Sequence, residues 1–525
     1  MKTLQHSGLL LFMILVSGCV KNALEKTPTD NIKTAKQSAQ AASPAGDVVG
    51  KVTVGYQGWF SAAGDGSPVN SWGHTNLEMW PDTREYTSSY SGTPFPQGGV
   101  AQPGYTGNLG NGQPARMFSS YDQSTVNVHF RWMQENGIDC AALQRFANEI
   151  TPGSTIKAQR DGMATRVRNA SETYGRKFYI MYDVSGWGNL AAVKTDWTNT
   201  IAGTLNLLSS PAYAHQNGKP VVSVYGLGYA SHPSSVAEAL DLINFFKAQG
   251  CYVIGSVPGQ WRTGTGDSKA GFTDAYKAFN MISGWAVGRA VDGNYNAWVT
   301  GDRDFCNANN MDYQPCAYPG TAFYNTNGSA SPKNQFPRNH GNFLWAQFAT
   351  FRNAGVQSVY IAMFDELNEA TSIFKVAEDA SMIPAGKYFL TLDADGVHVS
   401  SDFYLRLVND GGKMLKGLIP YTTTVPTPFV VGNGGGSGVT FYQDINYGGA
   451  AGQALPAGNY TLAQLAALGV PNDWASSVRV PAGRTVIMYG DDNFSGPSWT
   501  LTADTPDFTT LSGNANDKVS SVRVQ

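Results

Sequence analysis

The stretch FDELNEAT, residues 364–371, sets three carboxylates, Asp365, Glu366 and Glu369, directly after the apolar run VQSVYIAM. Charged groups are costly to bury without partners, so acids crowded at the end of a buried strand need a reason. One reason is chemical. Cleavage of a glycosidic bond takes one carboxyl group to protonate the leaving oxygen and another to act as base or nucleophile. Neighbouring carboxylates also raise one another's proton affinity, which keeps the acid protonated near neutral pH. The other reason is structural, a strand end whose charges are solvated or ion-paired. Residue chemistry alone leaves both open.

Other side chains suit a sugar site at similar positions. Tyr56, Gln57 and Trp59 follow the first apolar run, where they either stack on a sugar ring or pack in the core. His74 in SWGHTNLEMWPD either hydrogen-bonds substrate or orders its own loop. Asp183 ends KFYIMYD and Tyr225 ends KPVVSVY, both placed to bind hydroxyls. Trp285 in ISGW reads as core. TLDADG has half of a calcium loop without the remaining ligands and reads as a Gly-terminated turn. The sequence contains no nucleophile elbow, zinc signature or phosphate loop.

The elements that must position these residues are short apolar runs. VVGKVTVGYQGWF, GIDCAALQRF, KFYIMYDVSGW, KPVVSVYGLG, CYVIGSVPG, MISGWAVG, CAYPGTAF and VQSVYIAMFDE recur from residue 48 onward. Most are continuously apolar, as parallel strands covered on both faces are. Helical patterns separate many of them: Val236, Leu240, Ile243 and Phe246 share one face, as do Leu344, Phe348 and Phe351. Eight such units predict an α/β fold, a (β/α)₈ TIM barrel over residues 47–421, with the last helix near SSDFYLRLVNDGGKMLKG. A doubly wound sheet fits the alternation less well, because no Gly-rich phosphate turn follows the first strand. Active sites of the barrel fold lie at the C-terminal ends of its strands, where FDELNEAT falls. Residues 59–120 are predicted to cover one end.

FDELNEAT resembles the Phe-Asn-Glu-Trp-His-Glu-Gly-Thr stretch of glycoside hydrolase family 99, the endo-α-mannosidase group. VGYQGWFSAAGDGS and EMWPD are similar to a bacterial family 71/99-like domain, and the likeness covers most of residues 50–420. It implies that Glu366 deprotonates the sugar's own 2-hydroxyl, which attacks the anomeric carbon, and that Glu369 is the general acid/base. Asp365, Leu367, Asn368 and Ala370 depart from the mannosidase pattern, which leaves the sugar open. The expected activity is glycoside hydrolysis without a catalytic cofactor, on a carbohydrate substrate. The alternative is a glycan-binding lipoprotein with a degenerate barrel.

YTTTVPTPFVVGNGGGSG, by its Thr/Pro and Gly/Ser content, predicts a linker over 422–437. Beyond it the sequence repeats itself. YQDINYGG at 442–449 matches YGDDNFSG at 489–496, and NDWASSVRV at 472–480 matches NDKVSSVRV at 516–524. The two units predict an all-β domain of paired motifs over 438–525. They resemble the βγ-crystallin family, which implies a Greek-key sandwich and Ca²⁺ held by Asn472, Asp473, Ser476, Asn516, Asp517 and Ser520. Asn, Asp and Ser also cap turns without any metal.

The N-terminal residues, MKTLQHSGLLLFMILVSGCV, show a Lys, an apolar core and small residues before Cys19, a signal-peptide pattern too short to span a bilayer. VSGC resembles the bacterial lipobox, so residues 1–19 are predicted to be a lipoprotein signal whose Cys19 is acylated and anchors the chain to a membrane. An ordinary signal peptide is the alternative. Val20 is not Asp, so an outer membrane is the expected destination if the host has one. Residues 20–46 are predicted to be a disordered tether. Cys140 and Cys251 read as buried thiols, whereas Cys306 and Cys316 are close enough in sequence for a disulfide, which export permits. A net charge of −3 carries no nucleic-acid footprint, and a monomer is expected.

Overall fold

The computed structural model describes residues 42–97, 100–101, 104–430, 438–455, 457–481 and 484–525. Cys19 and the predicted tether up to residue 41 lie outside the described residues.

Each of the eight apolar runs contains a strand of one curled parallel sheet. In chain order the strands are β1 (Val52–Tyr56), β2 (Cys140–Phe146), β3 (Lys177–Asp183), β4 (Lys219–Tyr225), β5 (Tyr252–Val257), β6 (Met281–Gly284), β7 (Asp312–Tyr313), β8 (Cys316–Ala317) and β9 (Val359–Ile361). Two short strands of this sheet were not anticipated: β7, and His215–Gln216, which lies off the main path and pairs antiparallel with the start of β4. The spatial order is β7-β6-β5-β4-β3-β2-β1-β9-β8, and every neighbouring pair is parallel. The two ends of the sheet, β7 and β8, are separated in sequence only by Gln314 and Pro315. Asp312 sits opposite Met281 on one side, and Cys316 opposite Tyr360 on the other.

Burial on both faces explains the continuous apolar runs: every residue of β1 and of β5 is buried. The centre is filled. A Cβ on Gly55 would lie 2.3 Å from both Tyr360 Oη and Met363 Sδ, so only glycine leaves room for those side chains.

Helices cross between the strands: α1 (Gln123–Glu135), α2 (Thr155–Tyr174), α3 (Leu190–Asp196), α4 (Val236–Ala248), α5 (Thr273–Lys277), α6 (Tyr295–Ala308) and α7 (Asn342–Asn353), with α8 (Phe403–Leu415) after β9. Their ends follow local chemistry. Ser154 caps α2 by accepting from Lys157 N, and Gly175 ends it at φ 60°. Ser235 and Glu238 form a capping box at the start of α4. Leu344, Phe348 and Phe351 of α7 are buried, as the stripe requires. No helix among the described residues is long and apolar enough to cross a membrane.

The excursion after β1 packs over the acidic stretch. Leu367 O accepts from Glu78 N at 2.9 Å, and Asn368 Nδ2 donates to the carbonyls of His74 and Asn76.

One pairing left open by the sequence is decided, and two expected boundaries shift. Cys306 and Cys316 are separate buried thiols: Cys306 is on the buried face of α6, while Cys316 begins β8. The first part of the expected linker is packed, since Phe429 O accepts from Ser400 N, Pro428 O accepts from Arg406 and Thr427 Oγ1 donates to Asp410. The last residues of the expected tether are also held, with Ser43 N donating to Asp312 and Pro44 O accepting from Gln216.

Residues 438–525 form the predicted all-β module. Strands β10 (Thr440–Tyr442) and β12 (Ser477–Arg479) pair in one sheet. The other has the order β11 (Gly458–Tyr460), β15 (Ser521–Val524), β13 (Val486–Asp491), β14 (Ser495–Leu501). The repeats exchange elements: β11 of the first pairs with β15 of the second, and Thr505 bridges back to Val478. Val439, Phe441, Val478, Met488, Phe508 and Val522 lie in the core between the sheets.

Candidate active site and calcium loops

Glu366 and Glu369 line one cavity of about 220 Å³ at the C-terminal end of the sheet. Gln57, Trp59, Asp183 and Tyr225 line it as well, so six of the eight residues singled out for the sugar site meet there. The strands bring them together across more than 300 residues of sequence.

The three acids behave differently. Asp365 is fully buried and does not reach the cavity; its two oxygens accept the backbone N–H groups of Gln57 (2.8 Å) and Gly58 (2.9 Å). It ties the end of β1 to the acidic stretch. Burial raises its pKa to about 6, although those N–H groups pull it down. Glu366 is 2% exposed and held at both oxygens, by Asn368 N at 2.7 Å and Gln57 Nε2 at 3.1 Å. Burial, and then the neighbouring Glu369 charge, lift its pKa well above the carboxylate range. Glu369 is half-buried, and burial raises its pKa too. Its carboxylate accepts no hydrogen bond among the described residues, while its backbone oxygen is fixed by Ala322 N and Thr321 Oγ1. The pair thus holds a proton above the usual pH, with one member anchored and the other free to meet a ligand.

The walls are aromatic. Trp59 is stacked between His74, at a centroid distance of 3.8 Å, and Phe146, at 5.5 Å, both at 11°. His74 therefore buttresses Trp59 and is not itself a wall. Burial, with Arg160 nearby, lowers its pKa to about 4, so it stacks as a neutral ring. Asp183 accepts from Gln144 Nε2 at 2.7 Å and Ser185 N at 2.8 Å, and burial raises its pKa.

Tyr56 does not line the cavity. It is fully buried, its hydroxyl is bonded to His129 Nδ1 at 2.8 Å, and its ring packs against Phe130 of α1. Strand alternation explains this: Gly55 faces the interior, so Tyr56 faces the helices. Gln144, Phe146, Met181, Ser185 and Met363 also line the cavity and were missed, and Trp285, read as core, lines it too. Gln144 and Phe146 end β2 just as Asp183 ends β3, so the strand-end criterion would have found them.

In the C-terminal module the two Asn-Asp-x-x-Ser-Ser loops reach towards each other's repeat. Ser520 Oγ lies 2.7 Å from Asn472 Oδ1 and 3.0 Å from Gly490 O, while Ser476 Oγ lies 3.4 Å from Asp517 Oδ1. Asn472 and Asn516 each donate to the aspartate that follows, Asp473 and Asp517, which adopt φ of 52° and 53°. Asn516 Oδ1 is buried without a partner. The second serines have another task. Ser477 accepts from Tyr447 N and donates to Asp444 O; Ser521 does the same with Phe494 N and Asp491 O. Among the described residues no group of three or more His, Cys, Asp or Glu is arranged to hold a metal ion by those side chains alone. The donors here are amide, carboxylate, hydroxyl and backbone oxygens, a set that suits Ca²⁺ and not a softer metal.

No protein-family profile matches the chain. It is 47% identical over 70 residues to development-specific protein S of Myxococcus xanthus, and 34% identical over 88 residues to that protein's homolog in the same organism. These matches cover 13% and 17% of this chain, which spans only 38% and 50% of the length of those relatives. A βγ-crystallin domain from Clostridium beijerinckii is 53% identical, covering 17% of this chain and 95% of that one, with a TM-score of 0.16. The GH99 endo-α-mannosidase from Bacteroides thetaiotaomicron matches 70% of this chain and 98% of its own, with a TM-score of 0.51 and 13% identity, a likeness of fold alone.

Proposed function

We propose that this chain, whose C-terminal module belongs to the βγ-crystallin family and whose larger domain has the fold of a family 99 glycoside hydrolase, cleaves glycosidic bonds in an oligo- or polysaccharide. The observation that carries the reading is the single cavity in which Glu366 and Glu369 stand between the aromatic walls of Trp59, Phe146 and Trp285. Aromatic walls pack against sugar rings, Trp59 by its edge because His74 and Phe146 stack on its faces, while Gln57, Gln144 and Asp183 offer partners for hydroxyls. Glu369, unpartnered and raised in pKa, protonates the leaving oxygen and later returns as base. Glu366, held by Asn368 N and Gln57, deprotonates the attacking group in the form of the pair whose one proton resides on Glu369. The test is hydrolysis of purified glycans by wild type and by Glu369→Gln, with products read by mass spectrometry. Equal turnover by both proteins would end the assignment.

Closure of the sheet into an eight-stranded barrel belongs to the same reading: β7 and β8 act as two halves of one broken strand that joins β6 to β9. Cys19 is proposed to carry a lipid that anchors the chain at the membrane, which Cys19→Ser would abolish. The C-terminal module is proposed to bind up to two Ca²⁺ ions, one set drawing on Asn472, Asp473 and Ser520 and the other on Asn516, Asp517 and Ser476. The unpartnered Asn516 Oδ1 supports the second set.

A further inference from the structure

Trp285 lines the cavity that holds the two glutamates and also a larger cavity of about 710 Å³. Loop residues after β5 and after β6 build it, so it opens at the same end of the sheet. Its distinctive group is Arg289. The guanidinium carbon lies over Trp298, 3.6 Å from the ring centroid. A Cβ on Gly259 would come within 2.0 Å of its Nη2, so a bare backbone gives the fork its space. Arg289 forms no ion pair within 4.0 Å among the described residues.

The charges around it are committed elsewhere. Arg262 Nε donates to Asp302 at 2.8 Å, and Trp261 Nε1 takes the other oxygen of that aspartate. Asp267 is filled by the backbone N–H groups of Gly259 (2.7 Å) and Gln260 (2.9 Å). Asp292 accepts from Asn294 N. Arg289 therefore remains without a direct ion pair, stacked on an indole, although Asp267 and Asp292 line the same cavity and the field of Arg289 also reaches Asp302. A planar fork of this kind matches the two oxygens of a carboxylate or a sulfate, and stacking lowers the entropy lost on binding.

We infer that this second cavity receives an acidic group, a carboxylate or a sulfate ester, carried by the glycan whose neighbouring sugar occupies the glutamate cavity across Trp285. The inference rests on the glycan-binding reading of that cavity. The chain's net charge of −3 offers no long-range attraction for a polyanion, so recognition is local and Arg289 provides it.

The test uses the full chain carrying Glu369→Gln, so that glycans are not consumed, with and without Arg289→Gln. Both are titrated at low salt with oligogalacturonates, oligoalginates and sulfated galactan oligosaccharides, each beside its carboxyl-reduced or desulfated counterpart, and with inorganic sulfate. At least one acidic glycan should bind about tenfold or more tightly than its neutral counterpart, and Arg289→Gln should erase that difference. The uronate and sulfate arms tell the two sources apart. Arg289→Lys, which keeps the charge but not the fork, should retain part of the preference and serves if the Gln variant is destabilised. Equal affinity within every pair, binding of inorganic sulfate alone, no binding at all, or a preference that survives Arg289→Gln would each overturn the inference. The two readings fail separately. Charge preference without cleavage by wild type removes hydrolysis, and cleavage without charge preference removes the Arg289 site.

Discussion

The acidic strand end and the paired Asn-Asp-x-x-Ser-Ser loops use the same kinds of side chain to opposite effect. At the strand end the carboxylates are sunk at the C-terminal end of the sheet: Asp365 is 0% and Glu366 2% exposed, and burial raises the pKa of both. In the loops Asp473 and Asp517 face solvent, each beside an asparagine amide. A carboxylate whose charge is penalised by burial is suited to carry a proton, and one open to solvent beside other oxygen donors is suited to hold a cation. Burial, more than residue type, separates a candidate acid from a candidate metal ligand.

The sharpest way to break this contrast is to neutralise the strand-end pair. Glu369→Gln, and likewise Glu366→Gln, should lower hydrolysis by about 10²–10⁴-fold, with thermal unfolding close to that of wild type. A variant that unfolds early would show a structural role instead.

Asp365 comes next, because it differs from its two neighbours. Asp365→Ala leaves two buried N–H groups, of Gln57 and Gly58, without an acceptor, at about 1–3 kcal/mol each. Chemical denaturation should show that loss. The sign of the pH effect follows from its raised pKa. The folded chain holds this proton up to about pH 6, whereas the unfolded chain releases it near ~3.9. Its contribution to stability therefore falls as pH rises between those values and is level above them. Asp365→Asn should remove that part of the slope; an unchanged profile would mean that the carboxylate is not protonated in the fold.

On the other side of the comparison, Ca²⁺ at a hundredfold excess over its dissociation constant should stabilise the C-terminal module by about 2.7 kcal/mol. In calorimetry of the full chain, Asp473→Ala with Asp517→Ala should make the chelator-treated and Ca²⁺-loaded scans coincide. A persistent difference would move the site elsewhere. The smallest effect is expected at His74: His74→Ala removes the ring stacked on Trp59, a contact worth about 0.5–1.5 kcal/mol. It should raise KM a few-fold and leave kcat nearly unchanged, and a large fall in kcat would give His74 a chemical role.

Much of this architecture was legible because its signals are either long or repeated. Runs such as KFYIMYD and CYVIGSV have continuous apolar centres without alternation, as a doubly covered strand does, and the module's motifs occur twice at matched positions. What escaped depends on contacts between distant segments. Strand β7 is two residues long and begins with Asp312, whose partners are Ser43 N and Tyr252 Oη, so no apolar pattern marks it. The orientation of Tyr56 follows from where the alternation of β1 ends. Trp285 read as core because one aromatic in an apolar run gives no hint that it lines two cavities. Asp365 and Glu366 are adjacent and chemically alike, yet only the register between β1 and β9 decides which of them the backbone claims.

The central claim is hydrolysis at the Glu366–Glu369 cavity, and product analysis in heavy-oxygen water tests it most directly. Glycans incubated with the wild-type chain should yield shorter fragments, each with one heavy oxygen at its new reducing end, and Glu369→Gln should yield almost none. Glycans that bind the wild type yet stay intact, or fragments formed equally by Glu369→Gln, would contradict it.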